Sequence, residues 1–158
     1  MEEKLHRTFV DSVVSILKKT AGLTVDKIGA PKEAGGQQTS QGIASVVSFS
    51  GNKIKGRCII DMEQEVALDV VENIMGTRYD NLKELMVLYT ISELNNIIAG
   101  DSITKLNNEF GTGLRLAPPV VFTGRKVVMY SSQVKEATVD IDTPKGSLRL
   151  IIAWEGSL

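Results

Sequence analysis

Apolar and polar residues alternate between helical and extended spacing along the first part of the chain. Residues 4–20 carry apolar side chains three and four positions apart, which predicts a helix. Glycine, glutamine and small polar residues fill positions 29–42 and predict a loop. Residues 43–49 and 54–60 have the composition of strands, and the turn-forming residues between them predict a hairpin.

Helical spacing returns in two further segments. The first is predicted to begin after Asp61, a suitable N-cap, and to end at Gly76. The second is longer and runs from 81 to about 110, with Asp80 as its candidate cap. Gly100 is a position at which this long helix could kink, because glycine weakens a helix interior.

The C-terminal third is predicted to form strands. Residues 115–121, interrupted by two prolines, come first, and 127–131, 137–141 and 148–154 follow. The predicted order is α-β-β-α-α-β-β-β-β. Hairpin connections predict a largely antiparallel sheet with about three helices packed on it, an α+β fold in a single domain over residues 1–158. The alternating last strands could leave a sheet edge open to a second chain.

Charge and composition exclude several classes of protein. The chain has 18 basic and 19 acidic residues, a formal charge of −1 and no basic block, so a general nucleic-acid binder is not expected. No apolar run is long enough to span a membrane. The first residues are polar and contain no apolar signal core. We therefore expect a cytoplasmic protein that contacts neither nucleic acid nor membrane.

Histidine and cysteine each occur once, which limits the chemistry available to the chain. A zinc site of the usual cysteine and histidine type cannot be assembled from Cys58 and His6, so no metal site is expected. His6 is expected at the surface in the first turn of a helix, without a nucleophile near it. Cys58 lies in an apolar run and is expected to be a buried packing residue.

The long third helix is predicted to have two contrasting faces. At about 100° per residue, one apolar stripe faces the core. It consists of Val87, Ile91, Leu94 and Ile98. The opposite stripe consists of Leu82, Met86, Tyr89, Glu93, Asn96 and Gly100. On one interpretation, Glu93 and Asn96 simply face water. On the other, Met86 and Tyr89 form a docking surface, and the Glu93–Asn96 pair acts on one partner, because residues three apart are neighbours on a helix.

The polar part of this stripe carries a recognisable motif. Glu93 and Asn96 form an E-x-x-N pattern, and 22 residues separate Asn96 from Pro119. Together with the rest of segment 92–101, this spacing resembles the signature helix of the CheC/CheX family of chemotaxis phosphatases. The length and element order resemble the single-site CheX branch of that family. Tyr89 departs from the family pattern, which often has Asp or Ser at this position.

The resemblance implies an activity that needs no metal and no cofactor bound by this chain. The substrate would be a phosphorylated CheY-type response regulator, whose aspartyl phosphate and Mg²⁺ lie in the regulator's own pocket. Asn96 would orient the attacking water, and Glu93 would pair with the regulator's active-site lysine. The residues expected to contact the regulator are Met86, Tyr89 and Gly100. Pro119 is expected to have a structural role near the site.

A second function stays open at this point. A non-catalytic adaptor related to the flagellar-switch middle domain would bind a regulator or sister subunits without hydrolysing anything. Such an adaptor would need neither Glu93 nor Asn96, which favours the phosphatase. The resemblance also implies a homodimer joined through sheet edges.

Overall fold

A computed structural model describes residues 2–33, 37–130 and 135–158, which form three helices and two sheets. The helices are α1 (Glu2–Ala21), α2 (Gln64–Met75) and α3 (Leu85–Phe110). The strands are β1 (Lys27–Ile28), β2 (Lys32–Glu33), β3 (Gln37–Thr39), β4 (Ile43–Ser50), β5 (Ile54–Met62), β6 (Arg115–Leu116), β7 (Val120–Thr123), β8 (Val128–Tyr130), β9 (Lys135–Thr143) and β10 (Gly146–Gly156). None of the helices described is long and apolar enough to cross a membrane. The predicted α+β class and the three predicted helices are confirmed.

Most strands join one antiparallel sheet. Its order is β1-β9-β10-β5-β4-β6, with β2 also paired to β9 and β7 also paired to β4. Strands β3 and β8 form a separate two-stranded sheet. Within the predicted hairpin, Val47 of β4 lies opposite Cys58 of β5, and Cys58 in turn lies opposite Ile152 of β10. The hairpin is therefore confirmed and lies near the middle of the sheet.

The helices pack on one face of the main sheet, toward which alternate strand residues point. Val47, Phe49, Cys58 and Ile60 join one buried cluster with residues of all three helices. The ring of Phe49 stacks on Phe9 of α1, with centroids 5.6 Å apart. Removing such side chains from water is the main favourable contribution to folding. The predicted burial of Cys58 is confirmed.

The other face of the main sheet has a smaller apolar cover. Ala44, Ile59 and Ile151 are buried there and pack with Phe122 and Met129. Met129 belongs to β8, so the two-stranded sheet lies over this face. Both faces near the centre of the main sheet are thus covered. Strands covered on both faces carry apolar residues at consecutive positions, as the central strands do here.

A polar contact joins α1 to α3. Ser12 is fully buried on α1, and its Oγ donates to a carboxylate oxygen of Asp101 at 2.7 Å. Lys105, one turn further along α3, donates to the same oxygen at 2.6 Å. Partial burial alone would raise the pKa of Asp101, but these two donors outweigh it and hold the pKa below its ordinary value. Asp101 therefore links the two helices as a carboxylate.

The predicted N-cap of α2 is wrong. Asp61 lies inside β5, because that strand stays paired on both sides as far as Met62. Its carboxylate is fully buried and accepts the backbone N–H of Gln41. Burial raises the pKa of the Asp61 carboxyl, and the hydrogen bond from Gln41 and the charge of Arg149 act in the opposite direction. The helix follows Glu63, whose side chain makes no capping hydrogen bond.

Helix α3 starts later than predicted. It begins at Leu85, so Asp80 is not its cap. Leu82 precedes the helix and is buried beside Gly42, which removes it from the predicted stripe opposite the core face. The prediction placed the start of the helix too early because Leu82, an apolar residue in the preceding turn, has by chance the same spacing as the apolar residues of the helix.

The end of α3 agrees better with the prediction. The backbone stays helical through Gly100, so no break occurs there. Gly111 follows the last turn in a left-handed conformation, with a φ of 62°, and its N–H donates to the carbonyl of Asn107. Glycine adopts this conformation without steric cost, which is why it ends helices. Gly76 ends α2 in the same way.

Three strand predictions differ from the structure. The predicted loop 29–42 contains the short strands β2 and β3. The strand predicted at 127–131 is β8, and Ser131 lies outside the described residues. The last strand is not an open edge, because β10 lies between β9 and β5. Its consecutive buried residues Ile151 and Ile152 are typical of a central strand with both faces covered.

Candidate functional site

Helix α3 presents opposite faces to the core and to solvent. Ile91, Leu94 and Ile98 are buried in the main cluster, so the predicted core face is confirmed. Glu93 and Asn96 lie on the other side of the helix, one turn apart and half-buried. Neither side chain has a hydrogen bond or ion pair with any part of the chain that the structure describes. Both are therefore free to bind a molecule that approaches this face.

Large apolar side chains surround this pair. Leu85 is 80% exposed, Tyr89 61%, Ile97 43% and Met86 37%. We call the outer stripe the following set: Leu85, Met86, Tyr89, Glu93, Asn96, Ile97 and Gly100. At about 100° per residue, these positions cover about a third of the helix circumference. Exposed apolar residues grouped in this way mark a surface for another macromolecule. The sequence prediction included Met86 and Tyr89 but missed Leu85 and Ile97, which lie at the margins of the stripe.

Asn95 points into the core, whereas its neighbour Asn96 lies on the outer face of the helix. It is fully buried, and its Nδ2 donates to the carbonyl of Ser45 at 2.8 Å, to the Ser45 Oγ at 3.2 Å and to the carbonyl of Cys58 at 3.2 Å. The Sγ of Cys58 donates to Asn95 Oδ1 at 3.4 Å. Burial raises the pKa of the Cys58 thiol, which keeps it protonated and able to donate.

The sequence contained a signal for Asn95 that the prediction did not use. Its phase places it on the core side of α3, close to that of Ile91. A polar side chain in that position must find partners, because unpaired buried amides are costly. The neighbouring strands supply them.

The sheet edge beside α3 carries a bulge. Leu116 of β6 pairs with Phe49 of β4, and Val120 of β7 pairs with Val46. The interval from Leu116 to Val120 is four residues, whereas the interval between their partners in β4 is three. One residue of the edge therefore has no partner, which defines a β-bulge. Pro118-Pro119 occupies the irregular stretch. Proline is tolerated there because it has no backbone N–H and cannot donate a hydrogen bond to a neighbouring strand. The predicted interruption of this strand is confirmed.

This edge and α3 run side by side in opposite directions. At one end, a Cβ built on Gly100 would lie 3.9 Å from Leu116 Cδ1. At the other end, Leu82 lies against Gly42, whose carbonyl accepts the N–H of Gly124 just after β7. The strand thus starts near the middle of α3 and ends near its beginning.

Pro119 lies between Leu116 and Val120, in the irregular part of the edge beside α3. Pro119 comes three residues after Leu116, a distance of about 10 Å in an extended chain. About seven residues of helix cover the same length. Counting back from Gly100, that interval reaches the level of Glu93. The association of Pro119 with the Glu93–Asn96 pair stays a prediction.

Gly100 leaves open space at the far end of the outer stripe. The nearest atom to a Cβ at this position would be Leu116 Cδ1 at 3.9 Å, an ordinary contact distance. The chain itself therefore does not require glycine here. Gly56 is different, because a Cβ there would lie 2.3 Å from the carbonyl oxygen of Ala153.

The outer stripe lies on an exposed helix face and not in a pocket. A groove of about 1160 Å³ lies beyond the start of α3, and Leu82, Lys83 and Arg125 help to line it, but Glu93 and Asn96 do not. No group of three metal-ligating side chains occurs within residues 2–33, 37–130 and 135–158. Small ligands bind in concave sites, so the open surface suits a protein partner better.

His6 belongs to a different part of the molecule. It is half-buried on α1 and lines a cavity of about 440 Å³ with residues such as Lys135 and Trp154. Burial lowers the pKa of His6, and the charge of Glu3 acts in the opposite direction. The predicted surface position of His6 is thus only partly right, and the imidazole does not lie on α3.

Several known proteins are similar to this chain. The CheY-P phosphatase CheX of Thermotoga maritima is 30% identical over 132 residues, which is 83% of either chain. A CheC-like superfamily protein from Shewanella sp. PV-4 has a TM-score of 0.89 at 22% identity, over 99% of this chain and 100% of the other. A chain of the CheX-CheY-BeF3-Mg²⁺ complex from Borrelia burgdorferi has a TM-score of 0.81 at 25% identity, covering 94% of this chain and 96% of the other.

The family match covers the elements that build the candidate site. The family model for chemotaxis phosphatase CheX matches residues 43–142. That range begins with β4, contains α2 and α3, and ends near the end of β9. It includes the outer stripe and the proline bulge. On this match and on the identity to the Thermotoga relative, the chain belongs to the chemotaxis phosphatase CheX family.

Proposed function

We propose that this chain hydrolyses the aspartyl phosphate of a CheY-type response regulator by means of Glu93 and Asn96. The observation that carries the proposal is this pair of polar side chains, one turn apart on an exposed helix face, with no partner among the described residues. Membership of the CheX family supports the choice of reaction. The relative from Thermotoga maritima is a CheY-P phosphatase, and this chain has the same substrate class in our proposal.

Asn96 holds the attacking water. A carboxamide can accept one hydrogen bond from water and donate another while staying neutral, so it fixes the position of the water without needing to titrate. The water oxygen forms a bond to phosphorus as the bond from phosphorus to the aspartyl oxygen breaks. The products are inorganic phosphate and the free carboxylate of the regulator. Phosphoryl transfer depends mainly on such positioning and on charge stabilisation.

Glu93 fixes the register between the two proteins. Its carboxylate pairs with a lysine in the regulator's active site, one turn of helix away from the water held by Asn96. A charge pair at an interface contributes to orientation and specificity. Glu93 thereby brings Asn96 to the scissile bond, and assistance as a base is secondary because an ordinary glutamate is a weak base at neutral pH.

The Mg²⁺ ion belongs to the regulator in this proposal. The solved complex from Borrelia burgdorferi contains CheX, CheY, BeF3 and Mg²⁺ together. No group of three metal ligands occurs among the described residues, and in this proposal the chain contributes Glu93 and Asn96 as positioning side chains. When bound in the regulator's own pocket, the metal would supply charge stabilisation at the phosphoryl group.

The apolar part of the outer stripe is the docking surface. Met86, Tyr89 and Ile97 flank the polar pair, and aromatic and methionine side chains are enriched at protein interfaces. Gly100 lets the regulator approach the helix backbone closely. Pro119 has a structural role, because it keeps the neighbouring sheet edge from closing into a regular ladder.

The proposal includes a cytoplasmic homodimer. Strand β8 exposes Val128 and Tyr130, beside a cavity of about 240 Å³ on the face opposite the helices. Strand β8 is an edge of the two-stranded sheet and lies away from α3, so pairing through this edge would leave the outer stripes of both protomers accessible. Sedimentation equilibrium of the full chain tests the assembly, and a monomer at all concentrations would contradict it.

Phosphate release from a Mg²⁺-bound, phosphorylated CheY-type regulator tests the activity. The wild-type chain is expected to accelerate release. Asn96→Ala is expected to lower kcat by about 100-fold, because the water is no longer held in place. Glu93→Gln is expected to lower kcat/KM mainly through a higher KM, because the charge pair is lost.

Two matched variants control for general effects. Asn108→Ala changes an exposed asparagine near the end of the same helix, and Glu3→Gln changes an exposed glutamate of α1. Both are expected to retain wild-type activity. A loss of activity in these controls equal to that in the site variants would contradict the assignment. Binding of the phosphorylated regulator without faster release would favour the adaptor function.

A further inference from the structure

We propose that Asn95 is a positioning residue for the phosphatase reaction and acts through Asn96. In this inference, the buried amide sets the depth and rotation of α3 against β4 and β5. The inference rests on the proposed function for the outer pair. Asn95 does not touch the regulator, since it is fully buried on the core side of the helix.

Glu93 and Asn96, the outer pair, have no polar contacts in the described part of the chain that fix their positions. Glu93 and Asn96 make no hydrogen bond with the described residues, so the helix backbone alone determines where their side chains begin. The core side of α3 near them is held mainly by aliphatic residues such as Leu94 and Ile98. Apolar contacts have no directional preference, so they fix the rotation and depth of a helix less sharply than hydrogen bonds do.

Asn95 makes directional hydrogen bonds, which aliphatic side chains cannot make. Its Nδ2 reaches two carbonyls and one hydroxyl within 3.2 Å, on the adjacent strands β4 and β5. Cys58 returns a hydrogen bond to Oδ1 at 3.4 Å, so both ends of the amide are engaged. Among the described residues, the side-chain hydrogen bonds between the middle of α3 and these two strands all involve Asn95. A buried polar side chain is known to fix the register of packed helices.

The position of Asn95 in the chain makes its effect local. It precedes Asn96 directly, so a displacement at Asn95 acts most directly on the side chain that holds the water. A displacement of about 1 Å can cost about 100-fold in rate when a reacting group must be placed accurately. Loss of the buried hydrogen bonds is therefore expected to reduce turnover more than it reduces binding of the regulator.

The first variant is Asn95→Leu, which keeps a side chain of similar size and removes the amide. We expect kcat with phosphorylated regulator to fall about 10- to 100-fold, with KM within about twofold of wild type. Val139→Ala in β9 provides a control for general loss of stability, because Val139 is buried two strands away from β5. The control is expected to keep wild-type kcat at a temperature where it stays folded.

A second pair of variants covers the case in which Asn95→Leu does not fold. Cys58→Ser keeps a donor to Asn95 Oδ1, whereas Cys58→Ala removes it. Turnover is expected to be near wild type for the serine variant and reduced for the alanine variant. Equal turnover in these two folded variants, or a drop in kcat for Val139→Ala as large as that for Asn95→Leu, would overturn the inference.

A double-variant comparison separates positioning from a purely structural role. If Asn95 acts through Asn96, then Asn95→Leu combined with Asn96→Ala should be no slower than Asn96→Ala alone. Full multiplication of the two losses would overturn the inference. A crystal structure of Asn95→Leu should also show α3 displaced relative to β4. That displacement does not depend on any assay, so its absence counts against positioning even if the proposed phosphatase activity fails.

Discussion

Two adjacent asparagines in α3 have opposite surroundings, although their side chains are chemically identical. Asn95 is fully buried and has hydrogen bonds at both ends of its amide. Asn96 is half-buried and has no hydrogen-bond partner in the described part of the chain. The position around the helix, and not the residue type, separates the amide that anchors the helix from the one that can bind water. The E-x-x-N spacing therefore becomes informative once the helical phase is known.

Gly100 offers a prediction at the same scale. Gly100→Ala should stabilise the free protein by up to about 1 kcal/mol, because alanine is a better helix former and its methyl group meets only Leu116 at 3.9 Å. Thermal unfolding should show a melting temperature higher by about 2–4 °C. The same variant should lower kcat/KM for the phosphorylated regulator, since the methyl group occupies the space that we assign to the partner.

Gly56→Ala is the contrasting variant for this prediction. Its Cβ would lie 2.3 Å from a backbone oxygen, so it should lower the melting temperature. A Gly100→Ala protein that is more stable and fully active would show that the regulator does not approach the helix at this end of the outer stripe.

At the scale of elements, the sequence predicted best where one spacing dominates. In the β4–β5 hairpin the residues that join the main core recur at every second position, although much of the other face is also buried, and the core face of α3 repeats at helical spacing. The N-caps of the helices were predicted poorly, because aspartate is favourable both at an N-cap and in a buried hydrogen-bonded position such as that of Asp61. Local sequence cannot distinguish these environments, which are set by the strands that pair on each side.

Contacts between distant segments account for the rest of what the sequence did not predict. The short strands β1 and β2 exist because they pair with β9, more than 100 residues later. The central place of β10 likewise depends on pairing with β5. The partners of Asn95 lie on two strands about 40 to 50 residues away. None of these contacts leaves a pattern within the segment itself.

The contact between α1 and α3 carries a prediction about pH. Asp101 has a lowered pKa in the folded chain, so its ionised form stabilises the fold above the ordinary pKa, and that contribution is lost as pH falls through the folded pKa. Asp101→Asn should therefore lower the melting temperature at neutral pH by about 2–4 °C. The difference from wild type should shrink as pH approaches 3.

Asp11→Asn serves as the matched control, because Asp11 is an exposed aspartate of α1. It should change the melting temperature little at any pH in this range. A constant difference between Asp101→Asn and wild type from neutral pH to pH 3 would show that the charge of Asp101 does not stabilise the helix pair.

At the scale of the whole molecule, the candidate site lies where the helical layer meets one edge of the sheet. The outer stripe is open, and the cavities near His6, Lys83 and Val128 lie elsewhere. A surface of this form has no walls to enclose a small phosphate compound. The regulator must therefore supply the enclosed part of the reaction site in our proposal.

A small acyl phosphate tests whether the regulator must supply the enclosed part of the reaction site. Acetyl phosphate has the same kind of bond as an aspartyl phosphate but brings no protein surface and no lysine. We expect no acceleration of its hydrolysis by the wild-type chain, with or without Mg²⁺, when phosphate release is followed. Acceleration that Asn96→Ala abolishes would mean that the chain binds and activates the phosphoryl group alone.

The proline bulge beside the outer stripe also bears on how this protein avoids aggregation. A chain that exposes several apolar side chains next to a sheet edge offers other polypeptides both an attractive surface and a row of hydrogen-bonding groups. At Pro118-Pro119 that row is interrupted, because neither residue has an N–H and the local register is irregular. An extended segment of another molecule cannot continue a ladder across this point. The bulge is therefore expected to oppose the growth of fibrils from this edge.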